Sequence, residues 1–201
     1  MAQSEGIIVT LQRIWLIRHG ETEWSLSGQH TGSTDIPLTD IGAERARLLK
    51  GHMENHQFSA VLTSPLQRAQ ETCRLAGYGD HAEITDDLLE WDYGQYEGKT
   101  TAEIQETVPG WSLWTHPCPG GETGEQVATR VQRVIDRAIE IGGDVACFAH
   151  GHVLRVLIAT WLEMNPQSAK YFALGTASLT ILVHEHDYRV LRVLNEQWHL
   201  P

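Results

Sequence analysis

Apolar residues fall along this chain in short unbroken runs and in helical stripes, and the two kinds alternate. Ile14–Ile17 (IWLI) is such a run, the pattern of a strand buried on both faces. It ends in Arg18-His19-Gly20. Residues 20–38 are rich in Gly, Ser, Thr and Pro and carry no period, so they predict a loop. Thr39 then stands where an N-cap belongs, and Ile41, Ala46, Leu48 and Leu49 give a partly apolar face to a helix reaching about His56. Ala60–Thr63 (AVLT) predicts a second strand, with Ser64-Pro65 as cap and first residue of a helix through Ala76. Glu122–Ile141 sets Val127, Val131, Val134, Ile135 and Ala138 at helical spacing. Asp144–Ala149 (DVACFA) predicts a third strand, followed at once by His150-Gly151-His152 and an apolar helix near Val153–Leu162. Ser178–His184 and Arg189–Leu194 predict a closing hairpin that turns near Glu185–Tyr188. The stretch 91–121, studded with Gly and Pro, is the least regular.

Strands alternating with helices, with no repeat, low-complexity tract or linker, indicate one α/β domain over residues 1–201 with a largely parallel sheet. In such sheets ligands bind beyond the carboxyl ends of the strands. Three predicted strands end beside cation-capable side chains: Arg18 and His19, then Arg68 one turn into its helix, then His150. A lone His at a strand end is ordinarily structural, but the same placement three times is hard to explain as packing. If the strands are parallel neighbours, two guanidiniums, two imidazoles and helix N-terminal N–H groups converge on an anion site, with phosphate its natural occupant.

Composition narrows the setting. The chain has 201 residues, 41% of them apolar, enough for a substantial core, and a formal charge of -11 that disfavours nucleic acid and anionic membranes as partners. Three scattered cysteines (Cys73, Cys118, Cys147) without a CxxC pair suit a reducing compartment. The start, MAQSEGIIVTLQR, has neither the basic end nor the apolar stretch of a signal peptide, so a cytoplasmic protein is expected.

The blocks "RHGETEW", "TGSTDIPLTDIGAERA", "TSPLQRAQET", "LLEWDYGQYEG" and "AHGHVLRVL" resemble, in this order, those of the histidine phosphatase superfamily, over about Ile14 to Asn195. The resemblance implies a three-layer phosphoglycerate mutase-like fold, a mostly parallel central sheet flanked by helices. It implies that His19 is a nucleophile forming a phosphohistidine and that Arg18, Arg68 and His150 clamp the phosphate oxygens. Glu90 matches the family's acid, which protonates the leaving oxygen and then activates water. Ser25 stands where many members have Asn; its hydroxyl can still donate to phosphate. Thr31 and Gly32 match a loop meeting the substrate, Tyr93 a side chain lining the pocket, and Gly151 follows the clamping histidine. The scheme calls for neither metal nor cofactor.

These residues serve a mutase and a phosphatase equally. A phosphoglycerate mutase must also hold a carboxylate, yet Thr100–Thr129 contains no Lys or Arg, and Thr101 stands where mutases place a lysine. The segment is also short, which leaves water nearer a phosphohistidine. A phosphatase is therefore the preferred reading, with Trp111 and Trp114 as a wall suited to a sugar. The segment looks most like the branch that includes sedoheptulose-bisphosphatase, so the expected partner is a small sugar phosphate or bisphosphate. A mutase and a non-catalytic phosphometabolite-binding module remain as alternatives, and the oligomeric state is open. A metal site at the His184/His186 pair is a further rival.

Overall fold

A computed structural model describes residues 12–54 and 56–200. The reading of the chain's start as free of a signal peptide falls on residues 1–11, outside the described ones.

The apolar runs form one six-stranded sheet in the order β3-β2-β4-β1-β5-β6. Its strands are β1 (Arg13–Arg18), β2 (Ala60–Thr63), β3 (Ala82–Ile84), β4 (Val145–Ala149), β5 (Leu179–Glu185) and β6 (Tyr188–Glu196). β3, β2, β4 and β1 pair in parallel, and β5 and β6 add an antiparallel edge. The expected mostly parallel sheet is therefore present. β4 sits between β2 and β1, with Arg18 in register with Ala149 and Thr63 with Phe148, so all three chains leave the sheet at one level.

Alternation along β1 explains the three layers. Ile14 and Leu16 face a core built with α5 (Gly124–Ile141) and α6 (Gly151–Trp161), whereas Trp15 and Ile17 face one built with α2 (Asp40–Met53) and α3 (Gln67–Leu75). Two further helices are short: α1 (Glu23–Ser27) and α4 (Thr101–Thr107).

Three sequence expectations need correction. The loop after β1 contains α1, closed by Thr22 and Ser25 in a capping box. The helix expected from Ser64-Pro65 starts only at Gln67, with Leu66 as an N-cap that makes no side-chain bond; the Ser64 hydroxyl meets His150 and accepts from Leu66 N at 3.4 Å, within the turn before the helix. The irregular 91–121 segment holds α4, capped by Thr100 and Glu103.

Candidate active site

The carboxyl ends of β1, β2 and β4 open on one crevice. His19 leaves β1 with its backbone N–H on Ala149 O at 2.9 Å and its carbonyl accepting from Ala177 N at 3.0 Å. With the backbone fixed, the imidazole Nδ1 lies 2.6 Å from Gly20 O. A carbonyl only accepts, so Nδ1 carries the proton and Nε2 keeps its lone pair. Burial pushes the His19 pKa well below the ordinary 6.5, the Arg18 and Arg68 guanidiniums push it further, and the Gly20 bond opposes them. The ring is neutral at neutral pH.

The turn that carries His19 is packed backbone to backbone on α2. A Cβ on Gly20 would lie 2.5 Å from Gly42 O, and one on Gly42 only 2.2 Å from Glu21 O. Gly20 N also donates to Thr72 Oγ1 at 3.0 Å, which ties the turn to α3.

Arg68 is the second residue of α3 and is fully buried. Its Nε donates to His150 Nδ1 at 3.0 Å, one terminal nitrogen to Thr34 O at 2.9 Å, and the other to Thr31 O and Gly32 O at 3.0 Å each. Those carbonyls are held in turn by Glu97, whose carboxylate accepts from Gly32 N and Thr34 N. Since His150 Nδ1 accepts, Nε2 carries the proton and donates to Ser64 Oγ at 2.7 Å. This is where the Ser64 hydroxyl went. The His150 ring lies 5.2 Å from that of His19.

Glu90 is anchored by three backbone N–H groups: Trp91 N and Val153 N on Oε1, and His152 N on Oε2, at 2.8 to 2.9 Å. Two of these belong to the first turn of α6, where the helix dipole favours a carboxylate. Arg130 of α5 fixes the same segment from behind, donating to Asp87 O, Leu89 O and Glu90 O while paired with Glu122.

A cavity of about 260 Å³ fronts this arrangement. Of the residues singled out in the sequence, Arg18, His19, Ser25, Thr31, Glu90, Tyr93, Thr101 and Gly151 line it. Arg68 and His150 are fully buried next to His19 and do not line the cavity, and Gly32 N is spent on Glu97. Ser25 Oγ donates to Thr22 O at 2.8 Å and accepts from Thr22 N, so its hydroxyl serves the cap of α1. Arg18 donates to Leu174 O, and its Nε is buried without a partner among the described residues. Gly151 permits that placement, because a Cβ there would come within 3.3 Å of the Arg18 guanidinium carbon.

Trp24, His30, His152 and Arg155 also line the cavity and were not among the expected site residues. Arg155 carried a signal: it lies four residues after Gly151 on one helix, hence on the same face. It donates to Ala169 O and Lys170 O and stacks 4.4 Å over Trp114. Trp114 thus borders the site, whereas Trp111 is buried in the core beside Tyr96. Among the described residues, no three His, Cys, Asp or Glu side chains form a metal-binding group. His184 packs on Trp161 and His186 sits in the hairpin turn at φ 54°, so the two do not share a strand face. No helix among the described residues is long and apolar enough to cross a membrane.

Residues 14–197 match the family described as histidine phosphatase superfamily (branch 1). An acid phosphatase of Mycobacterium tuberculosis is 42% identical over 93% of this chain and 94% of its own. The sedoheptulose 1,7-bisphosphatase of Saccharomyces cerevisiae is 36% identical over 77% of this chain and 69% of its own. A solved Mycobacterium tuberculosis structure superimposes with a TM-score of 0.87 at 40% identity, covering 92% of this chain and 97% of that one. The chain belongs to the histidine phosphatase superfamily, with its phosphoglycerate mutase-like fold, and is a phosphatase hydrolase.

Proposed function

We propose that this protein hydrolyses small phosphomonoesters, sugar phosphates or sugar bisphosphates, through a phosphohistidine on His19. The observation that carries the reading is the His19 tautomer: a neutral ring, proton committed to Gly20 O, presents a bare Nε2 in a cationic pocket beside Glu90. Nε2 attacks phosphorus as the bond to the leaving oxygen breaks, and Glu90 in its acid form gives that oxygen its proton. Water then attacks phosphorus, its proton passes to the Glu90 carboxylate, and the bond to His19 breaks. Arg18 and the α6 N-terminus at Gly151 take non-bridging oxygens. Arg68 adds its one uncommitted N–H, and His150 adds Nε2–H by exchanging Ser64 Oγ for a phosphate oxygen.

Arg155 gives the pocket a second cation that the 100–129 segment lacks, which supports a substrate with two anionic groups. A sugar bisphosphate has two, as does 3-phosphoglycerate, so the mutase reading keeps one observation in its favour. The relationship to a sedoheptulose 1,7-bisphosphatase favours the sugar. The test is phosphate release, in the presence of a chelator, from sugar phosphates, sugar bisphosphates, 3-phosphoglycerate and p-nitrophenyl phosphate, with His19→Ala alongside. Release from a sugar phosphate, lost in the variant, is the expected result. Conversion of 3-phosphoglycerate to its 2-isomer without release would overturn it, as would undiminished release by His19→Ala.

A further inference from the structure

His152 is two residues beyond His150, yet the mechanism above uses only its backbone. That N–H holds Glu90 Oε2, which places the residue on the leaving-group side of the pocket. Its imidazole Nδ1 lies 2.6 Å from the Tyr93 hydroxyl. The ring packs edge-on against Trp114 at 5.3 Å and lies 5.9 Å from the His30 ring, which restricts its rotation. The other hydroxyls of the wall are engaged, Ser25 with Thr22 O and Thr31 with Gln29 O, and His30 Nε2 faces Thr101 Oγ1 at 3.3 Å. His152 Nε2 has no partner among the described residues and is not a sealed-off atom, in a residue that lines the cavity.

We infer that His152, paired with Tyr93, selects the substrate by hydrogen bonding through Nε2 to a hydroxyl on the leaving group next to the phosphate. The inference rests on the phosphatase reading above and names what its substrate must carry: a hydroxyl near the ester oxygen, as polyol and sugar phosphates have. Burial keeps the imidazole neutral and the phenol protonated, so two neutral partners share one hydrogen bond. When Tyr93 O–H donates to Nδ1, Nε2 bears hydrogen and donates to the substrate. When Nδ1–H donates to the phenol oxygen, Nε2 accepts. The pair therefore satisfies a hydroxyl in either orientation, which suits a group of related sugars better than one stereoisomer.

A site built to hydrogen-bond a substrate hydroxyl rejects an analogue lacking it, because its polar atom is then left unpaired. The experiment is the ratio of kcat/KM for sugar phosphates to kcat/KM for p-nitrophenyl phosphate, which has no such hydroxyl. Wild type, His152→Phe, His152→Gln, Tyr93→Phe and the double variant with phenylalanine at both positions are compared. His152→Phe, which keeps the backbone bond to Glu90, lowers the ratio at least tenfold. His152→Gln, which still offers a donor and an acceptor, recovers part of it. The double variant is no worse in this ratio than His152→Phe, since both changes disable one reader. An unchanged ratio, or equal losses on both substrates, overturns the inference by reducing His152 to packing. Wild type that hydrolyses p-nitrophenyl phosphate but no sugar phosphate also overturns it, while the phosphohistidine scheme survives. Loss of that scheme shows separately, as undiminished release by His19→Ala.

Discussion

Substituting Glu90 separates proton transfer from anchoring. Its carboxylate accepts from three backbone N–H groups. A glutamine can keep its oxygen where Trp91 N and Val153 N converge, but its NH2 then faces the N–H of His152, donor against donor. Glu90→Gln should therefore cost roughly 1–3 kcal/mol of stability as well as the acid. General acid catalysis matters in proportion to the basicity of the leaving oxygen. Turnover of a sugar phosphate should fall by about 10²–10⁴, and that of p-nitrophenyl phosphate, with its acidic phenol, by far less. Equal losses on both substrates would show that Glu90 only shapes the pocket. At this scale the sequence revealed the charges and concealed their arrangement. Arg18, His19 and His150 were legible because each follows an apolar run that has no other reason to end in a cation. Nothing in the sequence indicated that Arg68 would spend its donors on Thr31, Gly32, Thr34 and His150, since those partners come from distant loops. Ser64 misled for a physical reason: a hydroxyl before proline looks like a cap, and here it closes only a turn on Leu66 N while meeting His150, with the helix starting three residues later.

Helix α2 carries two glycines that should respond in opposite directions to the same substitution. Gly42 faces the turn after His19, where a methyl group would collide with Glu21 backbone atoms at 2.2 to 2.9 Å. Backbone cannot move aside as a side chain can, so Gly42→Ala should lose roughly 1–3 kcal/mol or more. It should also reduce activity by displacing the turn that presents His19 Nε2. Gly51 lies in the same helix, and a methyl group there would meet nothing within 4 Å. There alanine only removes unfolded-chain freedom, so Gly51→Ala should gain roughly 0.4–1 kcal/mol with activity intact. Urea midpoints and phosphate release from the two variants check the pair, and similar shifts in both would contradict the packing argument. The elements themselves were legible where burial imposes a period. β1, β2, β4, α5 and the β5–β6 hairpin lie within a few residues of their expected ends because each buries a face. β3 escaped because it is three residues long on the sheet edge, with Glu83 and Ile84 exposed. α1 and α4 escaped because five and seven residues are too few to show a period, and their caps hold them instead.

The whole molecule gathers its buried histidines at one place, and that ties its stability to pH. Burial is the leading cause that pushes the pKa of His19, His150 and His152 well below the ordinary 6.5, with nearby arginines acting in the same direction. In the unfolded chain each returns to the ordinary value and takes up a proton as pH falls through it; in the folded protein each resists. The unfolded state therefore binds more protons below pH 6.5, so stability is fully present above that value and declines beneath it. Each group contributes a slope of up to about 1.4 kcal/mol per pH unit, and His30 and His199, whose pKa values burial also lowers, act in the same direction. Against a typical total of about 5–15 kcal/mol, slopes of that size make acid a measurable threat to the fold. The shifted carboxylates, Glu71, Glu83 and Glu103, all lie below their ordinary 4.5, so their losses begin at lower pH and do not obscure this window. Urea unfolding at intervals from pH 7.5 to 5.0 should show stability falling steeply with acid. The slope should drop, by up to one proton, in His152→Phe, which removes one of these groups. A flat profile between pH 6.5 and 5.0 would mean that these rings accept protons in the folded state as readily as in the unfolded chain, and that burial does not depress their pKa values.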